Sequence, residues 1–240
     1  MTPRAFASAV RRPITAPPID RAAKVYDALV RPPEPLVVAN GPVVWTPELA
    51  SLAAAAEPLL AADGGANHLA RIGLKPRSVI GDLDSIAGGT RAWLGEERMV
   101  HRPDQDLPDL DKALDFAFDE LALNRLTVLG ATGGRLDHAA VNLGILARRR
   151  LGEDLVFLGA DHRVVGVAGE AALTAVPGEI WSFFTFDPAV RVSLDGVRWP
   201  LEDQPLDLGR RPSISNRATA DQVTINSRGG TVIALRWFGS

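Results

Sequence analysis

Short apolar runs alternate with helix-like segments from residue 36 to about residue 159, and this alternation constrains the fold more than any other feature of the 240-residue chain. The apolar runs have the length and composition of strands that are buried on both faces. The predicted strands are the segments 36–39, 59–62, 78–81, 98–101, 126–130 and 155–159. The predicted helices between them are 47–56, 66–72, 89–94, 110–121 and 136–149. This alternation predicts an α/β fold with a parallel sheet flanked by helices.

The pattern changes near Gly159, where the helical periodicity ends. The apolar segments that follow are HRVVGVAG, AALTAV, IWSFFTF, AVRVSL, QVTINS and TVIALRWF, separated by Gly, Pro, Asn and Asp. Short strands at this spacing predict a β-sandwich or a partial barrel. We therefore expect three parts: an N-terminal extension at 1–35, an α/β nucleotide-binding domain at 36–159 and an all-β, sandwich-like domain at 160–240.

The first 35 residues are rich in Ala, Arg and Pro and lack the continuous apolar core of a secretory signal. Their basic, acid-poor start also resembles a transit peptide. We favour an extension with one short helix at about 20–30 that packs on the rest of the chain.

Composition excludes several classes of function. The net charge of -3 argues against nucleic acid as the main partner, because binding to a phosphate backbone usually needs a basic excess. The chain has no cysteine, which excludes disulfides, zinc–thiolate sites and a cysteine nucleophile. No run approaches the roughly 20 apolar residues of a membrane span, so we expect no membrane association and a cytoplasmic location.

Two aspartates occur in GDLDS (81–85), directly after the third predicted strand. Asp82 and Asp84 are spaced i and i+2, which places both carboxylates on one side of an extended segment. Mg²⁺ prefers one or two carboxylates together with water and phosphate oxygens. The alternative is a solvated tight turn, which Gly81 and Ser85 would suit.

The segment DQDLPDLDKAL (104–114) supplies Asp109 and Lys112, which share one face of a helix. We assign Asp109 to a metal ion and Lys112 to a phosphate, with Gln105 reaching the same ligand from the preceding loop. Asp111 is expected to point away and to be solvated. The alternative is a plain acidic helix start with a solvated ion pair.

The segment GATGGRLDH (130–138) follows the fifth predicted strand. Its small residues let backbone amides approach an anion, and the helix that follows offers its positive end. Arg135 is placed for a phosphate, Asp137 for a metal ion or for the proton of the attacking group, and His138 for the nucleotide base. The alternatives are a plain glycine-rich turn and, for His138, a solvated helix residue.

The segment DGGAN (63–67) follows the second predicted strand. We assign Asp63 and Asn67 to the nucleotide, although Asp63 would also suit the cap of the next helix. Because ligands of parallel sheets bind beyond the carboxyl ends of the strands, the four motifs predict one shared site. Neither a P-loop motif nor a Gly-x-Gly-x-x-Gly fingerprint is present.

In this order, DGGAN, GDLDS, DQDLPDLDKAL, GGRLDH and the late Ser-Asn pair at 215–216 resemble the motifs of the thiamine pyrophosphokinase family. The resemblance covers about residues 36–238. It implies a homodimer that uses Mg²⁺ and ATP, with the substrate site between its subunits. It also implies transfer of the pyrophosphoryl group of ATP to the hydroxyl group of thiamine, which gives thiamine diphosphate and AMP.

The resemblance also implies roles for single residues. It places Asp82, Asp84, Asp109 and Asp137 in one acidic cluster, with the first three as the firmer metal ligands. It makes Lys112 and Arg135 phosphate ligands, and it leaves Asp109 and Asp137 as alternatives for the proton acceptor. It assigns Trp199 to stacking on thiamine, and Ser215 and Asn216 to contacts with the aminopyrimidine ring.

The chain departs from the family pattern at two single residues and in its N-terminal extension, which is unusual for the family. Pro108 stands where the family usually has Thr, and Arg217 stands where it often has Glu. These departures keep open a catalytically silent regulator that binds thiamine or a nucleotide. A second alternative keeps the same chemistry with another acceptor: a pyrophosphokinase that acts on a pterin-type alcohol. For Trp199 the alternative is a core or edge aromatic, and for Ser215 and Asn216 it is a turn.

Overall fold

The computed structural model describes residues 34–149 and 154–238. Its first part alternates strands and helices, as predicted. The strands are β1 (Leu36–Val38), β2 (Leu59–Ala62), β3 (Ser78–Gly81), β4 (Met99–His101), β5 (Arg125–Leu129) and β6 (Asp154–Leu158). The α-helices are α1 (Pro47–Ala55), α2 (Gly65–Arg71), α3 (Gly88–Leu94), α4 (Asp109–Asp115) and α5 (Leu136–Arg148). The helix predicted at 110–121 continues after α4 as a π-helix, Phe116–Glu120.

These six strands form a parallel arrangement in the order β6–β5–β1–β2–β3–β4. The chain first builds outward from β1 to β4 and then returns to the other side of β1 with β5. The order therefore reverses between β1 and β5, and such a switch point opens a crevice at the carboxyl ends of the strands.

Alternate residues of the central strands enter two separate cores. Leu36 and Val38 belong to the apolar cluster on one face of the sheet, whereas Val37 belongs to the cluster on the other face. All three are fully buried. Each such side chain contributes about 1.5–3 kcal/mol of burial free energy, so helices on both faces are needed to cover the sheet.

The second part is built from antiparallel strands. They are β7 (His162–Thr174), β8 (Ile180–Phe184), β9 (Arg191–Asp195), β10 (Leu201–Pro205), β11 (Ser213–Arg217) and β12 (Gln222–Trp237). The sequence predicted separate strands within β7 and within β12, and this was wrong. Gly169 and Gly229 both adopt positive φ at a register shift between these two strands, so a bulge replaces the predicted breaks. The strands β10 and β11 were not predicted.

The two parts share one continuous sheet of 12 strands, because β7 pairs antiparallel with β6. The predicted fold class, an α/β part followed by a β-rich part, is confirmed at this level. The boundary near residue 160 stays a prediction. The extension at 1–35 and its helix lie outside the described residues, apart from Glu34 and Pro35. Among the described residues, none of the helices is long and apolar enough to span a membrane.

Candidate active site

A pocket of about 360 Å³ opens at the switch point between β1 and β5. Its floor is formed by the chain just beyond these strands, including Asn40, Gly41 and Gly130, and its wall by the first turn of α4. Gly41 and Gly130 approach so closely that a Cβ on Gly41 would lie 2.3 Å from the carbonyl oxygen of Gly130. The loop Asn40–Gly41–Pro42 was missed by the sequence interpretation, although it follows the first predicted strand as the other motifs follow theirs.

Three carboxylates meet at one side of this pocket. One oxygen each from Asp63, Asp82 and Asp109 lies within 4.8 Å of the other two. Asp63 follows β2, Asp82 follows β3 and Asp109 begins α4. Gly81 makes the approach possible, since a Cβ there would lie 2.8 Å from Cβ of Asp63 and 3.1 Å from Oδ1 of Asp109.

Asp63 is buried, with only 1% of its surface exposed. Its Oδ2 accepts a hydrogen bond from the backbone N–H of Ser85 (3.2 Å), whereas Oδ1 has no hydrogen-bond partner among the described residues. Burial raises the pKa of Asp63, and the negative charge of Asp109 raises it further. A buried carboxylate oxygen without a donor, beside two other carboxylates, fits a hard divalent cation such as Mg²⁺.

The sequence predicted an extended segment with the carboxylates of Asp82 and Asp84 on one side. The structure differs from this prediction. Leu83, between the two aspartates, has a φ of 67°, which turns the chain. Asp82 accepts a hydrogen bond from Nε2 of Gln105 (2.9 Å), and this bond lowers the pKa of Asp82. Asp84 is exposed, accepts from the hydroxyl of Ser85 and lies outside the group of three carboxylates. A metal contact from Asp84 therefore stays a prediction.

Lys112 brings a positive charge to the same wall of the pocket. Its Nζ donates to Oδ1 of Asp109 (2.9 Å), and only 4% of its side chain is exposed. The predicted i, i+3 pair is thus present, but it is not solvated as the alternative required. Lys112 and Gln105 both line the pocket.

Arg135 and Asp137 form an exposed ion pair at 2.5 Å. The hydrogen bond from Arg135 lowers the pKa of Asp137 to about 2. Arg135 and His138 line the pocket, whereas Asp137 lies outside both the lining and the carboxylate group. The structure therefore separates Asp137 from the acidic cluster in which the resemblance placed it.

Asn67 and Asp111 have roles that the sequence interpretation did not give them. Nδ2 of Asn67 donates to the carbonyl of Ser85 (2.9 Å) and its Oδ1 accepts from the N–H of Ala87 (3.0 Å), so this side chain holds the segment after GDLDS. Its predicted nucleotide contact stays a prediction. The expectation that Asp111 is solvated was wrong, because it is 1% exposed and accepts from Arg148, the last residue of α5, and from Arg149, which follows it.

The predicted thiamine residues lie in the β-rich part. The side chain of Trp199 is exposed, and the guanidinium of Arg198 lies 5.0 Å from the centre of its ring. Ser215 has a φ of 60° and its N–H donates to the hydroxyl of Ser182 (3.2 Å). None of the described lining residues of the pocket comes from the β-rich part.

Asn216 is buried and its side-chain amide is fully used. Oδ1 accepts from the N–H groups of Trp199 (3.1 Å) and Arg217 (2.9 Å), and Nδ2 donates to the carbonyl of Trp199 (2.9 Å) and to the hydroxyl of Ser213 (3.2 Å). Four hydrogen bonds exhaust the capacity of an amide side chain. This geometry favours a role in fixing Trp199, and the direct contact of Asn216 with thiamine stays a prediction.

Two family models match the chain in sequence order. Residues 49–156 match the model of the thiamin pyrophosphokinase catalytic domain, and residues 173–232 match the model of the thiamin pyrophosphokinase vitamin B1 binding domain. The two matches together cover more than two thirds of the chain. The carboxylate group lies in the first match, and Trp199 and Asn216 lie in the second.

Individual relatives agree with these models. The thiamine pyrophosphokinase of Bacillus subtilis is 27% identical over 207 residues, which are 83% of this chain and 96% of the relative. Thiamin pyrophosphokinase 1 of Caenorhabditis elegans is 27% identical over 171 residues, 67% of this chain and 70% of the relative. The crystal structure of the Bacillus subtilis enzyme superposes with a TM-score of 0.72 at 25% identity, covering 85% of this chain and 98% of that one. The thiamin pyrophosphokinase of Candida albicans shares the fold, with a TM-score of 0.74 at 16% identity over 89% of this chain and 90% of that chain.

Proposed function

The chain belongs to the thiamin pyrophosphokinase family, and on that premise we propose that it transfers the pyrophosphoryl group of ATP to the hydroxyl group of thiamine, giving thiamine diphosphate and AMP. The observation that carries this proposal is that a single chain matches both the catalytic and the vitamin B1 binding model, with the three carboxylates in the catalytic match.

We assign Asp63, Asp82 and Asp109 as the residues that would hold Mg²⁺. Bound there, the cation would offset the charge of the phosphate oxygens and of the departing AMP. Asp63 enters this assignment because its Oδ1 is buried without a donor, while Asp82 and Asp109 are partly exposed beside the pocket. Gln105 keeps Asp82 in place through its hydrogen bond.

In this proposal, Lys112 and Arg135 bind the phosphate groups of ATP. Lys112 is already held beside the carboxylates by Asp109, so little side-chain freedom is lost when a phosphate binds. Arg135 is paired with Asp137 at the surface, where an ion pair contributes little free energy. A phosphate group can therefore draw Arg135 away at small cost.

Release of Arg135 would also allow Asp137 to accept the proton of the thiamine hydroxyl. While Arg135 is bound, the pKa of Asp137 is about 2 and its carboxylate is a weak base. Once Arg135 turns to a phosphate, this hydrogen bond is lost and the basicity of Asp137 rises. We assign Asp137 as the proton acceptor on this ground, with Asp109 as the alternative.

The proposed active unit is a homodimer. The pocket is lined by the α/β part, whereas the exposed Trp199 lies in the β-rich part. A second copy would bring a Trp199 ring to the pocket, and the face of an indole ring attracts a cationic heteroaromatic ligand such as thiamine. A cytoplasmic location, where ATP and Mg²⁺ are both at hand, completes the proposal.

Incubation of the protein with ATP, Mg²⁺ and thiamine tests the proposed reaction. We expect AMP and thiamine diphosphate in equal amounts, with no ADP, and no turnover when Mg²⁺ is removed by EDTA. Formation of AMP with a pterin-type alcohol but not with thiamine would contradict the acceptor. Binding of thiamine without any AMP would contradict catalysis.

A further inference from the structure

Three side chains form a continuous series of hydrogen bonds that begins in the glycine-rich turn after β5. Oγ1 of Thr132 lies 2.6 Å from Nε2 of His162, and Nδ1 of His162 lies 2.6 Å from Oδ1 of Asp161. Thr132 belongs to the glycine-rich turn after β5, whereas Asp161 lies between β6 and β7 and His162 begins β7. These hydrogen bonds therefore link the α/β part to the beginning of the β-rich part.

The partners define the direction of these hydrogen bonds. A carboxylate only accepts, so Nδ1 of His162 carries a proton and donates to Asp161. In the neutral ring Nε2 is then the acceptor, and the hydroxyl of Thr132 donates to it. An imidazole with its tautomer fixed in this way holds the hydroxyl in one orientation.

The ring of His162 is itself held by packing. Its centre lies 5.3 Å from that of Trp237, and 15% of the side chain is exposed. A Cβ on Gly159 would lie 2.4 Å from Cε1 of the ring, so Gly159 is the residue that leaves room for it. His162 is therefore a fixed anchor for Thr132.

The glycine-rich turn needs such an anchor. Gly130, Gly133 and Gly134 all adopt positive φ, and glycine has no side chain to hold the backbone in place. Ala131 and Gly133 line the pocket, whereas Thr132 between them is not among the lining residues and is directed at β7. Asn142 supplies a second side-chain bond to this turn, from its Nδ2 to the carbonyl of Ala131 (2.7 Å).

We propose that His162, oriented by Asp161, is a positioning residue that holds the glycine-rich turn through Thr132 and thereby sets the affinity of the pocket for the phosphate end of its nucleotide. This inference rests on the nucleotide site of the proposed function. It does not make Thr132 a nucleophile, because its hydroxyl is hydrogen-bonded to His162 and Thr132 is not among the described residues that line the pocket.

Calorimetric titration with Mg²⁺ and α,β-methylene-ATP tests this role without turnover. Loss of the hydroxyl in Thr132→Val is expected to raise Kd about three- to tenfold, the effect of one hydrogen bond. Thr132→Ser keeps the hydroxyl and is expected to bind within about twofold of the unaltered protein. Thr219→Val, the same change at an exposed threonine of the β-rich part, serves as the control.

Turnover gives a second readout. Thr132→Val is expected to raise KM for ATP by the same factor, with kcat and KM for thiamine unchanged. A Thr132→Val protein that is folded and binds the analogue like the unaltered protein would overturn the inference. Equal weakening by Thr132→Ser and Thr132→Val would also overturn it, because the hydroxyl would then not matter.

If Thr132→Val does not fold, Asp161→Ala tests the same series of hydrogen bonds from its exposed end. A rise in Kd supports the inference, and an unchanged Kd contradicts it. Binding of the analogue is measured separately from pyrophosphoryl transfer. A protein that binds the analogue but makes no thiamine diphosphate would contradict the proposed function, and the Kd values of its variants would still test the role of His162. Absence of any binding of the analogue would overturn both.

Discussion

Gly81 shows how one small residue permits the carboxylate site. It ends β3 directly against Asp63 and Asp109, at distances that leave no room for a Cβ. Larger residues would push apart the two segments whose carboxylates must meet. The close approach of the carboxylates thus depends on Gly81, a residue that has no side chain.

Asp109 is the residue whose loss should affect transfer most directly. It contributes one oxygen to the carboxylate group and also accepts the hydrogen bond from Lys112. We expect Asp109→Ala to lower kcat/KM about a hundredfold or more, because a preorganised charge at the reacting phosphate is removed. Formation of AMP measures this effect.

The matched control for Asp109 is Asp221→Ala, at an exposed aspartate of the β-rich part. It should leave kcat/KM unchanged. Circular dichroism would establish that both variants are folded, and near-normal turnover of Asp109→Ala would remove this residue from the site.

Asp63 should make stability depend on both pH and Mg²⁺. Since burial raises its pKa above the ordinary 3.8, the folded protein keeps this proton at pH values where the unfolded chain has lost it. Ionised Asp63 therefore costs folding free energy above that range, and the cost is absent below pH 3.8. We expect Asp63→Asn to have a higher Tm than the unaltered protein at pH 7 without Mg²⁺, and a similar Tm near pH 3.5.

The same variant should lose the response to the cation. Addition of Mg²⁺ is expected to raise the Tm of the unaltered protein, because the cation offsets the buried charge, and to leave Asp63→Asn unchanged. Thermal unfolding with and without MgCl₂ at the two pH values measures both effects. An equal rise in Tm for both proteins would place the cation elsewhere.

At the scale of elements, α4 carries two different faces. Asp109 and Lys112 are directed at the pocket, whereas Asp111 is directed at the end of α5. The helix is only seven residues long, so its orientation depends on what its second face contacts. The ion pairs of Asp111 with Arg148 and Arg149 supply that contact.

Loss of Asp111 should therefore destabilise the protein. The side chain of Asp111 is 2% exposed and pairs with both Arg148 and Arg149, so its removal takes the buried carboxylate from two guanidinium groups and leaves Arg149 with the more exposed Asp115. We expect Asp111→Ala to lower the free energy of unfolding by about 3 kcal/mol. Urea denaturation measures this difference.

Asp115→Ala is the matched control for Asp111, since Asp115 pairs with the same Arg149 but is 46% exposed. Exposed pairs contribute about 0–1 kcal/mol, so this variant should unfold close to the unaltered protein. Equal losses in the two variants would show that the burial of Asp111 has no special importance.

At the scale of the whole molecule, the proposed dimer predicts that two variants of low activity restore activity when they form mixed dimers. Asp109→Ala lacks a carboxylate and Trp199→Ala lacks the stacking ring. If each site takes Asp109 from one subunit and Trp199 from the other, a mixed dimer has one intact site. Random mixing makes half of the dimers mixed, so about a quarter of the unaltered activity should return.

The mixture is prepared by unfolding and refolding the two variants together, at a thiamine concentration well below saturation. Variants that are refolded separately and then combined serve as the control. Activity of the mixture no greater than the mean of the two variants would contradict a site shared between subunits.

The sequence by itself determined the elements and their order. Apolar runs such as 59–62 and 78–81 coincide with β2 and β3, because a strand that is buried on both faces needs an unbroken apolar run. It also placed Asp82, Asp109, Lys112, Gln105 and Arg135 in motifs that follow predicted strands, where they were expected to share one site. Such features are local, or follow from the direction of parallel strands.

Only the tertiary structure decided which side chains meet. It brought Asp63 into the carboxylate group and left out Asp84 and Asp137, because the φ of Leu83 and the ion pair with Arg135 are not encoded in the spacing of the motifs. It buried Asp111 against α5 and used the amide of Asn216 to hold Trp199. It also joined Thr132 to His162, 30 residues away along the chain. Contacts of this kind depend on how distant segments pack, and a periodic pattern in the sequence does not contain that information.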